Sequence, residues 1–184
     1  MNTEVLYWVG QAFGFLAVAL TLLTYLMKTP LRLLLALSGA ILSMMINYVF
    51  LGAWAGVFLN AVSLLRNVIF MLALRYPVLK KKPVSYALIA LMFAVGVYSW
   101  LSAEGDPFTA LNLSSWLFTV ALTVNTYFLS LENNRKLRYS IFFTSSLVLT
   151  YNVIFSSWGG ILNEAVAIGS AAIGTIMYRK KKAC

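Results

Sequence analysis

The 184-residue chain is 61% hydrophobic and only 10% charged, with a formal charge of +9, a mean hydropathy of +0.85 and no histidine. Soluble domains carry about a quarter charged residues, so this surface is suited to lipid rather than water, and basic clusters scattered between apolar runs offer no basic face for nucleic acid. Without histidine there are no histidine metal ligands and no ordinary neutral-pH proton relay, and the single Cys184 excludes an intrachain disulfide.

A membrane-spanning helix needs about 20 mostly apolar residues rising about 1.5 Å each, and seven such runs follow one another. The first, about 5–27, carries Gln11 and is preceded by "MNTEVLYWVG", which lacks the positive start of a cleaved signal and is expected to remain. "KTPLR" (28–32) leads to the second run, about 32–52, with Asn47 near its far end. "GAW" (52–54) is so short that the second and third runs must form a tight hairpin. The third run, 54–75, holds Asn60, Ser63, Arg66 and Asn67. Beyond "RYPVLKKKP" (75–83) lies the fourth, 84–102, and beyond "AEGDPF" (103–108) the fifth, 108–131, which includes Asn125. "ENNRKLR" (132–138) precedes the sixth, 137–156, with Asn152. A second tight turn, "SSWGG" (156–160), opens the seventh, 158–178, with Asn163 and Glu164.

Seven spans put every lysine and arginine except Arg66 on one side, 13 of 14, while the other side carries Glu4, Glu104 and Asp106 and no basic residue. The positive-inside rule then makes the basic side cytoplasmic, with the N-terminus outside and the C-terminus inside. The expected location is a bacterial inner (plasma) membrane.

The chain also repeats itself. "ALTLLTY" (19–25) matches "ALTVNTY" (121–127) with five identities in seven. "VFLGAWAGVFLNAVSLL" (49–65) matches "VIFSSWGGILNEAVAIG" (153–169) at a shift of 104, aligning Trp54 with Trp158 and Gly56 with Gly160. Corresponding spans share an orientation, which is a parallel repeat about an axis along the membrane normal. The expected fold is therefore an all-α membrane protein: seven transmembrane helices as two parallel three-helix bundles plus a linker helix (3+1+3). Residues 1–78 form the first triple-helix bundle, 79–104 the linker helix and 105–184 the second bundle.

With "LGAWAGVFLNAVSLLRN" and its echo "SSWGGILNEAVAIGS", the chain resembles the bacterial inner-membrane YgjV family, which is similar to the SWEET, SemiSWEET and PQ-loop transporters. The resemblance implies a SWEET-like fold in which asparagines of the third span of each bundle line a substrate pocket. Here the matching positions are Asn60 and its partners Asn163 and Glu164. The chain departs from SWEET-type proteins in having no proline inside the first span of either bundle, since Pro30 and Pro107 sit at helix ends.

An ion at the bilayer centre costs about 2.5–3.5 kcal/mol on insertion scales and seldom faces lipid. Arg66 and Glu164 lie well within spans of the two halves, and Asn60, Ser63 and Asn67 share one helical stripe at i, i+3 and i+7. The candidate substrate-binding residues are Asn60, Ser63, Arg66, Asn67, Asn163, Glu164, Gln11, Asn47 and Asn152, with Glu164 the candidate for proton coupling. Structural roles compete with this reading: Arg66 can snorkel or pair with Glu164 as glue, the asparagines can join helices, and Trp54 and Trp158 suit interface anchors.

No catalytic residue, cofactor or metal is expected, because only one intramembrane carboxylate is available for acid–base work. A retinal-type seven-helix protein needs a mid-span lysine, and every lysine lies at a span end. The expected activity is transport of a small polar solute, neutral or zwitterionic and of a sugar or vitamin-like kind, by alternating access between the bundles. The partners are that small-molecule solute and the lipid bilayer, with no nucleic acid; a homo-oligomer is compatible with the polar stripes. No P-loop is present, so movement is facilitated or ion-coupled. The alternative is a membrane scaffold or partner-binding protein, which places the polar residues at a protein interface with no cavity between the halves.

Overall fold

The computed structural model describes residues 3–24, 26–27, 29–103, 108–130 and 134–183, with side chains at all of these except 3, 80, 111, 130, 134–138 and 174–183. Lys28, Glu104, Asp106 and the side chains of the last two basic clusters thus lie outside the described residues. The helices are α1 (Thr3–Thr24), α2 (Pro30–Phe50), α3 (Trp54–Arg75), α4 (Lys82–Leu101), α5 (Ala110–Ser130), α6 (Asn134–Ile154) and α7 (Trp158–Ala183), with one 3₁₀ turn at Pro77–Lys80 before α4. They coincide with the seven expected runs to within a few residues, except that α7 continues through "RKKK". Among the described residues four, over Glu4–Thr24, Pro30–Phe50, Trp54–Arg75 and Lys82–Leu101, are long and apolar enough to cross a membrane, and Tyr139–Ile154 is a shorter apolar stretch.

Proline occupies the first turn of both α2 and α4, where its missing N–H has no helical partner to lose and its fixed φ suits helix entry. Two sharp turns set the remaining geometry. At the end of α2, the Gly52 amide donates to Val49 O and the Ala53 amide to Tyr48 O; 104 residues later, the Ser156 amide donates to Val153 O and the Ser157 amide to Asn152 O. Both are Schellman caps, which need one left-handed residue: Gly52 at φ 68° and Ser156 at φ 51°. Glycine adopts that conformation without cost, whereas serine is strained by roughly 1–2 kcal/mol. The Ser156 carbonyl is held from outside its own turn, by the Tyr7 hydroxyl (3.2 Å) and the Gln11 amide (2.9 Å).

Neighbouring helices in the chain are neighbours in space, and α7 packs back on α1, so the helices close into a ring. α3 also touches α5 directly, which leaves α4 bracing that contact. The packed interior gathers Tyr48, Leu59, Met92, Phe118, Val148 and Tyr151. Because Leu and lipid tails are equally apolar, helix association in a bilayer relies on close packing and internal hydrogen bonds rather than on the hydrophobic effect. The α1–α7 contact shows this: Gly14 and Gly159 meet backbone to backbone, and a Cβ on Gly159 would fall on the Gly14 main chain. Gly169, further along α7, has open space instead.

Gly159→Ala is therefore expected to destabilise the protein by about 1–3 kcal/mol, the usual range for overpacking. Gly169→Ala is expected to be neutral or slightly stabilising. Thermal unfolding of the purified protein in detergent micelles compares the two, and equal melting temperatures would contradict the backbone contact.

Candidate functional site

A cavity of about 300 Å³ lies inside the ring. α2 lines it with Leu37, Ala40, Ile41 and Met44, and α6 with Ile141, Thr144, Ser145 and Val148. Each α6 residue stands 104 positions after its α2 counterpart. From α3 come Asn60 and Ser63, and from α7, at the same shift, Glu164 and Ala167. The shape of the cavity is thus two-fold while its chemistry is not: α2 presents hydrocarbon where α6 presents hydroxyls.

The cavity extends to Thr24, the last residue of α1, and Leu129, near the end of α5. These helix ends belong to the side where the sequence collects its basic residues. Toward the two hairpin turns it is closed by aromatic rings. Phe118 stacks on Tyr151 at 4.5 Å, and Tyr48 meets both edge-on at 5.9 and 5.7 Å. Hydrogen bonds fix the rings: the Tyr48 hydroxyl donates to Asn152 Oδ1 at 2.7 Å, and the Gly56 amide donates to the Tyr151 hydroxyl at 2.9 Å. Gly56 must be glycine here, because a Cβ would meet the Tyr48 ring at 2.7 Å and the Tyr151 hydroxyl at 2.9 Å.

Two opposite charges reach the cavity. Arg66, 4% exposed, donates from Nη1 to Thr126 Oγ1 at 3.0 Å, and its Nε has no partner. Glu164 accepts from Asn163 Nδ2 at 3.2 Å and from the Ser145 hydroxyl. No ion pair joins them. Asn60 is bonded only within its own helix, Nδ2 to Gly56 O at 2.8 Å, while Ser63 Oγ and Asn163 Oδ1 are buried without partners.

Five of the nine candidate residues, Asn60, Ser63, Arg66, Asn163 and Glu164, therefore share one cavity. The other four do not line it. Gln11 and Asn47 belong to a separate network at the hairpin end, while Asn152 holds the Tyr48 hydroxyl of the aromatic cluster. Gln11 receives the Trp158 and Gly159 amides at 3.0 and 3.4 Å. Asn47 donates to Gly10 O at 2.7 Å and accepts from Ser157 Oγ at 2.7 Å. They stitch the turn before α7 to α1 and α2. Asn67, although on the same helical face as Asn60 and Ser63, does not line the cavity and is buried with an unpartnered Nδ2. Sequence reasoning missed Ser145 and Thr126, which hold the two charged groups. Thr126 lies in the repeated "ALTVNTY", and its counterpart Thr24 lines the cavity, so the repeat carried a usable signal. Ser145 carried none, since its counterpart is Ile41.

A second cavity, of about 470 Å³, sits at the hairpin end between α3, α4 and α5, lined by Trp54, Phe58, Ser99, Asn112, Ser115 and Phe155 among others. Phe155 packs on Tyr151 at 4.7 Å, so the aromatic cluster separates the two cavities.

A family model described as Imp-YgjV, bacterial inner membrane protein, matches residues 8–182. No curated protein and no solved structure matches the chain.

The division into a stitching network and a cavity predicts different stability effects. Gln11→Ala removes an amide that holds three backbone groups across α1 and α7, with an expected loss of about 1–3 kcal/mol. Asn60→Ala gives up one bond within its own helix and is expected to shift thermal unfolding in detergent far less. The reverse order would contradict the assignment.

Proposed function

We propose that this chain, which belongs to the Imp-YgjV family of bacterial inner-membrane proteins, is a carrier that moves a small polar metabolite, neutral or zwitterionic, by alternating access. The observation that supports this reading is a polar cavity lined by corresponding residues of two repeated halves, reaching one end of the bundle and closed by an aromatic cluster, with a second cavity beyond it. Parallel repeats suit such a device, because two equivalent halves can rock about a site on their common axis. The reading includes the SWEET-like 3+1+3 organisation, with α1–α3 and α5–α7 as the bundles and α4 as the linker. It is supported by the 104-residue correspondence of both hairpin turns and of the cavity walls.

In this reading the basic end faces the cytoplasm and the N-terminus lies outside, so the conformation described is open inward. Tyr48, Phe118 and Tyr151 form the outer gate, and Glu164 is the group through which proton coupling would act. A cavity of about 300 Å³ is at the lower end of ordinary ligand pockets, which suits a small solute. The scaffold alternative requires Asn60, Arg66 and Glu164 to meet across a closed interface, and the cavity between them argues against it.

Reconstituted proteoliposomes test the proposal with a panel of radiolabelled metabolites. Wild type is expected to take up at least one of them, Glu164→Gln to lose about tenfold or more in initial rate, and Asn60→Ala to lose several-fold. The carrier reading fails if no solute moves, and the assignment of the site fails if both variants transport like wild type.

A further inference from the structure

We infer that the cavity recognises a zwitterion, holding its carboxylate at Arg66 and its ammonium group at Glu164; the inference rests on the carrier reading and narrows its solute. Each of the two ions has only neutral partners: Thr126 for Arg66, and Asn163 and Ser145 for Glu164. In a poorly polarisable interior, opposite charges that share a cavity attract strongly, and mutual pairing would be the ordinary way to offset their desolvation. They are instead held apart. Glu164 occupies the α7 position that Asn60 occupies on α3, and Arg66 lies six residues further along α3, about 9 Å at 1.5 Å per residue.

The unpartnered atoms sort by the same polarity. Near Arg66, the free guanidinium Nε and the Ser63 hydroxyl three residues away can both donate. Guanidinium presents a planar fork that matches a carboxylate bidentately. Beside Glu164, the free Asn163 Oδ1 adds a second acceptor, as an ammonium group with three N–H donors requires. One end of the cavity thus offers donors and the other acceptors, while the α2 wall of Leu37, Ile41 and Met44 suits an aliphatic spacer. A singly charged solute would leave one buried ion unanswered, and a neutral solute would leave both. Such omissions at a buried polar site are the basis of strong discrimination.

A matched series tests this in proteoliposomes: ω-amino acids from glycine to 6-aminohexanoate, each beside the carboxylate without the amine, the amine without the carboxylate, and the corresponding diol. At least one amino acid is expected to be taken up, with its three counterparts about tenfold poorer or worse. Arg66→Gln is expected to weaken amino-acid uptake while improving the relative standing of the simple amine, and Glu164→Gln to do the same for the simple carboxylate. A misfolded variant cannot produce that exchange of preference. If a diol or a monosaccharide moves as well as the amino acids, or moves when they do not, the zwitterion is wrong and the carrier stands. If nothing moves, including the wider metabolite panel, the carrier reading falls and the zwitterion falls with it.

Discussion

Where α1 meets α7, both ends of the Gln11 amide grip the turn that starts α7, and two glycines allow the main chains to touch. This seam closes the ring. Without it the helices would form an open sheet of neighbours, and the polar faces of α3 and α7 would have no shared interior. The seam also relieves a local problem, because the left-handed Ser156 turn is held by hydrogen bonds that its own hairpin cannot supply. Asn47 extends the same stitching to α2 through Ser157 and Gly10.

The corresponding contact in the other half is built differently. Shifted by the 102 residues that relate the two "ALT" motifs, Gly14 becomes Trp116 and Gln11 becomes Leu113. Trp116 packs against Phe93 and Trp100 of α4 rather than meeting α3 backbone to backbone. α3 and α5 touch less closely, α4 braces them, and the second cavity occupies the gap. One seam is locked by glycine and the other is spaced by tryptophan.

Burial of charge gives the interior its character. Ionic side chains are expensive away from water unless they pair or find hydrogen bonds, and Arg66 and Glu164 follow the second course, incompletely in the case of Arg66 Nε. Their supports come from other helices, Thr126 of α5 for Arg66 and Ser145 of α6 for Glu164. The charged pair is thus presented to the cavity by four helices, so any relative motion of the halves would change the spacing between the charges.

The helices, most of their ends and the sequence repeat were legible in the residues, since each rests on a local property: apolar length, proline and short breaks, or like residues at a fixed interval; the end of α7 was not, because its basic residues continue the helix. The polar stripe Asn60, Ser63 and Asn67 was legible from its helical spacing only in part, since Asn60 and Ser63 line the cavity with the adjacent Arg66 while Asn67 does not. Depth and intramembrane polarity identified Gln11, Asn47 and Asn152 as significant but could not separate stitching from lining, because an amide has the same composition in either role. Their partners are backbone groups of a distant turn for Gln11, the Gly10 carbonyl and the Ser157 hydroxyl for Asn47, and the Tyr48 hydroxyl for Asn152, none of them adjacent in sequence. Ser145 lay hidden for a related reason, since a serine can satisfy itself on its own helix. Sequence by itself determined a helical membrane protein with an internal sequence repeat and with Arg66 and Glu164 placed inside apolar runs. Only the tertiary structure decided that those ions share a cavity without pairing, because ring closure and the positions of third-party hydrogen-bond donors depend on contacts between residues a hundred or more positions apart.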